Sequence, residues 1–127
     1  MINLQKTTDN AFPAYLECAL WSISDDDGYL DENHNIGDIH RDTRRALLAD
    51  LQRIIAAADK LTPDWRDYWS VEQFGHDFWL TRNGHGAGFW DQYSDGRGDE
   101  IGEILTRLSG FLGEVDLYIG DHGYIYA

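Results

Sequence analysis

Cysteine is almost missing from this chain: Cys18 stands alone among 127 residues, so no internal disulfide can form. It falls in the apolar run Tyr15 to Trp21, where a small buried thiol is expected rather than a nucleophile. Long apolar runs are missing too, none approaching the ~18 residues of a membrane span. Met1 to Asn10 has neither the basic start nor the apolar stretch of a signal peptide, which points to the cytoplasm. No repeat of solenoid period and no low-complexity tract occurs. Basic residues are scarce: 10 Lys plus Arg face 23 Asp plus Glu, a formal net charge of −13. Nucleic acid and anionic membranes repel such a surface, so neither is expected as a direct partner.

What is present is enough to fold. Hydrophobic residues make up 43% and aromatic ones 13%, more anchoring area than a disordered acidic chain carries, and the length suits one domain over residues 1–127.

Tyr15, Leu16, Ala19, Leu20 and Ile23 recur at helical spacing and predict a helix over Ala11 to Ser24, with Pro13 in its first turn. Asp25 to Asn35 is acidic, glycine-containing and poor in apolar residues, hence a loop. Asp38 to Leu61 carries a 3.6-residue apolar period and half of the basic residues. Thr62-Pro63 opens a shorter helix running to about Phe74. Beyond Gly75 the texture turns to period two, with Phe78 and Leu80 alternating with Trp79 and Thr81. Asn83-Gly84 and then Phe89-Trp90 follow, and together they predict a hairpin. Asp99 to Leu112 is again helical and Gly113 stops it. Val115 to Ile119 and Tyr124 to Tyr126 flank a glycine-rich turn and predict a second hairpin. The expected fold class is α+β: an antiparallel sheet of about four strands from two C-terminal hairpins, with three to four helices packed on one face.

On that hairpin Trp79 and Trp90 are cross-strand neighbours on one face, and Leu80 and Phe89 lie on the other. One aromatic face must then be roofed, by Tyr93 or the N-terminal helix, or else serve as a contact surface. His76, Asp77 and His85 are the residue types of a metal or acid–base site, with Asp91 a further carboxylate. The two histidines would stand ~20 Å apart along a strand, so joint ligation is not expected, and no metal or other cofactor is. Asp77 is as well placed to pair with Arg82 or Arg97. Asp25 to Gly28 fails the spacing of an EF-hand loop, and the glycines of Asn83 to Gly88 lack the helix and lysine of a phosphate loop.

Three segments, YLECALWS (Tyr15 to Ser22), GHDFWLTRNGHGAGFWD (Gly75 to Asp91) and GEVDLYIGDHGYIY (Gly113 to Tyr126), give the chain a resemblance to a group of short acidic proteins of bacteriophages, plasmids and related mobile elements. The resemblance implies a mobile-element origin, and hence the host cytoplasm as location. It carries no activity onto any residue.

Three functions fit these features. The first is an accessory protein that binds a host protein, such as a basic nucleic-acid-binding one, as a counter-defence inhibitor or DNA mimic. Its acidic surface would be Asp25, Asp26, Asp27, Asp31 and Glu32, five carboxylates within eight residues. A domain about 30 Å across spans ~18 duplex phosphates, comparable with the charge available. The second is a small metal- or acid–base-dependent enzyme using His76, Asp77 and His85. The third is a structural or assembly partner that docks through Trp79 and Trp90.

Overall fold

The computed structural model describes residues 3–25 and 28–127. Asp26 and Asp27 of the acidic loop therefore lie outside the described residues.

Helix α1 (Leu4–Ser22) is capped by Asn3, whose side chain accepts the Lys6 amide at 3.0 Å. It starts about two turns earlier than Ala11, so Pro13 lies inside it rather than in its first turn. Polar residues disguise those extra turns. Thr7 and Thr8 are both buried; the Thr8 hydroxyl donates to the Leu4 carbonyl at 2.8 Å and Thr7 Oγ1 accepts from Arg66 at 2.8 Å. Strands β1 (Ser24–Asp25) and β2 (Gly28–Tyr29) form a minimal antiparallel ribbon, followed by the one-turn helix α2 (Leu30–Asn33).

The long helix α3 (Arg41–Leu61) buries Leu47, Leu51, Ile54, Ile55 and Ala58 of the stripe its period predicts, while Leu61, the last member of that stripe, is exposed at the helix end. Asp38 lies ahead of it, in the 3-10 turn Ile36–Asp38, where it completes a capping box with Asn35. The helix expected to continue to Phe74 is divided: Pro63–Asp67 is a 3-10 turn, and a new helix begins at Val71.

That helix overturns the expected fold class. Helix α4 (Val71–Arg82) occupies the segment taken for the first hairpin, and the second half of that hairpin is the 3-10 turn Phe89–Asp91. Ser70 caps α4 by accepting the Gln73 amide at 3.0 Å. Phe74, Gly75, Phe78, Trp79 and Arg82 then form a helical stripe, and Asp77 and Leu80 are buried beside it. A helix buried on most sides shows no single wet face, so its aromatic residues mimic alternation. Asn83-Gly84 does make a turn, but one that ends a helix. Gly84 takes a positive φ of 67°, the His85 amide returns to the Leu80 carbonyl at 3.1 Å, and Asn83 Nδ2 donates to the Trp79 carbonyl at 3.0 Å.

Helix α5 (Gly96–Leu112) ends at Gly113 with φ 77°, as expected. The second predicted hairpin is also found, shortened to β3 (Tyr118–Ile119) and β4 (Ile125–Tyr126). It is tied to the start of α3, with the His40 amide donating to the Ile125 carbonyl at 2.8 Å. Among the described residues the strands form two separate two-stranded ribbons instead of a four-stranded sheet.

The core lies between these helices. α4 packs along α1, and Gly75 makes this possible, because a methyl group there would overlap the Ala11 carbonyl oxygen. Tyr15 stacks on Phe78 at 5.2 Å and meets Trp79 edge-on at 5.5 Å. Phe74 links Trp65 at 4.4 Å to Phe89 at 5.0 Å. Arg82 crosses this interior. Its buried guanidinium donates to Asp50 at 2.9 Å, Tyr15 Oη at 2.8 Å, the Leu112 carbonyl at 3.1 Å and the Gly113 carbonyl at 2.8 Å. It thereby ties α4 to α1, α3 and the C-terminal end of α5.

Candidate functional site

The residues expected to carry function are dispersed. Asp25 pairs through its backbone with Gly28 in the first ribbon, while Asp31 and Glu32 lie exposed on α2. Trp79 is fully buried, so it cannot belong to a docking face. α1 roofs it, and its indole N–H donates to Ser22 Oγ at 2.8 Å. Trp90, in the turn after α4, is 49% exposed, so the two tryptophans do not share a face. The aromatic sheet face is thus absent, along with the hairpin that would have formed it.

His76 and Asp77 stand in α4 rather than at a strand end, and His85 lies just past the helix. Asp77 is buried and pairs with neither Arg82 nor Arg97. It accepts from Trp69 Nε1 at 3.0 Å and Gln73 Nε2 at 2.7 Å, with His76 Nδ1 at 3.4 Å. Burial pushes its carboxyl above the usual range, against the opposing pull of those hydrogen bonds. Arg82 pairs with Asp50 instead, and Arg97 forks onto Asp64 at 2.7 and 2.8 Å. That pairing holds the Asp64 carboxyl down at about 2. Cys18 is buried as expected, and burial, reinforced by the charge of Asp77, pushes its thiol up to about 12, which disfavours the thiolate needed of a nucleophile. Among the described residues no group of three or more His, Cys, Asp or Glu is arranged to hold a metal ion. Among them, too, no helix is long and apolar enough to cross a membrane.

One surface does gather several of the candidate side chains, and it centres on Trp21 near the C-terminal end of α1. Trp21 is 57% exposed. Three depressions adjoin it. One, of 390 Å³, is lined by Glu17, Leu20, Asp31, His34, Asn35 and Ile36 together with the indole. A second, of 340 Å³, lies between Trp21, Glu17, Cys18 and His76, and a third, of 330 Å³, between Trp21, Ser22, Tyr29 and His85. His76 sits 6.1 Å from the indole, centroid to centroid. The tryptophan thus stands between His76 and His85, which line different depressions. Glu17 precedes Trp21 by one helical turn and borders two of the three hollows. No lysine or arginine is among the described residues that line them. The surface therefore offers an aromatic plane edged by carboxylates and imidazoles.

Trp21 was legible in the sequence as a residue out of place. Counting about 100° per residue, it falls some 170° from the centre of the stripe formed by Tyr15, Leu16, Ala19, Leu20 and Ile23. A large aromatic on the wet side of an amphipathic helix was the available signal. Comparison with protein-family models, curated proteins and solved structures gave no match.

Proposed function

We propose that the protein acts by binding: an accessory protein of the mobile-element type that presents a negative surface to a basic host protein, such as a nucleic-acid-binding defence factor, in the host cytoplasm. The observation that carries this reading is that basic side chains are engaged within the chain itself, Arg82 in the interior and Arg97 at the surface. Arg66 forks onto Asp59 at 2.8 and 3.0 Å, Arg97 onto Asp64, Arg82 is buried on Asp50, and Arg44 donates to the Ile36 and Ile39 carbonyls at 3.0 and 3.3 Å. Four of the ten cations are thereby committed to the fold. Glu17, Asp31 and Glu32 meanwhile stay exposed, and Glu17 and Asp31 border the Trp21 surface.

Attraction between such surfaces is screened over ~8 Å at physiological ionic strength, so binding should weaken steeply with salt, chiefly through the on-rate. The test is capture from a bacterial host lysate at low and half-molar salt, with the wild type and with Asp25, Asp26, Asp27, Asp31 and Glu32 changed to Asn or Gln. Basic proteins retained at low salt and lost in either other condition support the reading. Capture that survives both, but disappears on Trp90→Ala in a folded protein, would favour docking through an exposed aromatic instead.

A further inference from the structure

We infer that Trp21 is the anchor for an arginine side chain of the basic partner, an inference that rests on the charge-display reading above. Several observations converge on this ligand. The indole is more than half exposed, although the same helix fully buries Tyr15 and partly buries Phe12. Single exposed apolar side chains are ordinary, but a tryptophan is a strong anchor when a partner covers it. Its surroundings select the charge of what covers it. Glu17 lies one turn away and opens onto the depressions bordered by His34 and by His76, Asp31 adds a second carboxylate, and no lysine or arginine is among the described lining residues.

Two other exposed aromatics, Phe111 and Trp90, lack this setting. Phe111, 86% exposed, borders a 170 Å³ hollow lined by Arg53, Ile54, Ala57, Leu108 and Leu112, which has a cation and no carboxylate. Beside Trp90, the Asp91 carboxylate is already engaged by the Gly88 amide at 3.1 Å. Arginine fits the Trp21 surface better than lysine. A planar guanidinium stacks on an indole while its in-plane N–H groups still reach a carboxylate, and it is less strongly hydrated than an ammonium.

The test uses fluorescein-labelled peptides of alternating glycine and arginine, or glycine and lysine, titrated with the full chain at low salt and followed by anisotropy. The wild type should prefer the arginine peptide by about threefold. Trp21→Ala should weaken that peptide about fivefold and abolish the preference, as befits an exposed cation–π contact. Glu17→Gln should weaken it several-fold, whereas Glu103→Gln, an equal change of charge on α5, and Phe111→Ala should each alter it less than about twofold. Trp21→Phe, which keeps a weaker ring, should fall between, and it carries the comparison if circular dichroism shows that the alanine variant does not fold. The Trp21 indole N–H signal, assigned from that variant, should shift on addition of the arginine peptide.

Equal losses for Glu17→Gln and Glu103→Gln, with no effect at Trp21, would overturn the anchor and leave charge display standing. If wild-type protein binds neither peptide, or binds both regardless of salt, charge display itself fails and the anchor with it.

Discussion

Ser22 and Trp21 are neighbours on α1, about 100° apart around the helix, and their side chains do different work. Ser22 turns inward and holds the indole of Trp79, which is fully buried between α1 and α4. Trp21 turns outward, beside hollows whose walls are acidic. Along the interior of the helix pair each polar group has a partner and each ring a neighbour: Gly75 lies against the Ala11 backbone, Tyr15 on Phe78, Arg82 on Asp50. At the outer end a comparable ring is left uncovered. The contrast separates what the fold requires from what it can spare, because an exposed side chain away from packing and caps adds little to stability.

The largest effect is expected at Arg82. Arg82→Ala leaves Asp50, the Tyr15 hydroxyl and the Leu112 and Gly113 carbonyls without their shared donor. A loss of about 3–5 kcal/mol is expected in urea unfolding, typical of removing one partner from a buried charge pair. A loss below about 1 kcal/mol would mean that water replaces the guanidinium, and that this side of the core is wetter than its burial suggests.

A smaller effect is expected at Asp77. Burial raises its carboxyl above the ordinary 3.8, so the folded chain holds this proton more tightly than the unfolded chain does. Between 3.8 and the raised value the native state therefore binds more protons, and this group's contribution to stability falls as pH rises. Asp77→Asn has no such proton. The stability of wild type relative to this variant should decline with increasing pH through that window and then level off, in unfolding curves taken from about pH 3.5 to 7. A difference that grows with pH would show that the hydrogen bonds from Trp69, Gln73 and His76 outweigh burial.

The smallest effect on stability belongs to the outer tryptophan. Trp21→Ala should cost less than about 1 kcal/mol in the same assay, in keeping with an exposed site. A loss of the size expected at Arg82 would erase the distinction between the two ends of the helix pair.

Much of this architecture was open to sequence reasoning. α3 and α5 each have one wet and one dry face, so Leu47, Leu51, Ile54 and Ile55, like Ile101 and Leu105, are buried where the period puts them. Gly113 could be recognised as a helix stop because a positive φ is cheapest for glycine. The C-terminal ribbon was recognisable from its turn, and the acidity of the surface followed from composition. α4 was not recognisable. Phe78, Trp79 and Leu80 are consecutive and all buried, and burial on most sides removes the wet face from which a period is read.

The charge, the amphipathic helices α3 and α5, the glycine stop of α5 and the final ribbon can be read from short stretches of chain, since each depends on composition, local propensity or one exposed face. That the Gly75 to Arg82 stretch is helical and that Trp79 is core came from the assembled fold alone. Those outcomes depend on which neighbours arrive from distant parts of the chain: Ala11 and Tyr15 against α4, Ser22 on the Trp79 indole, and Asp50 and Gly113 on Arg82. The energies of burial and of polar pairing are set by those neighbours, and no local window of sequence contains them.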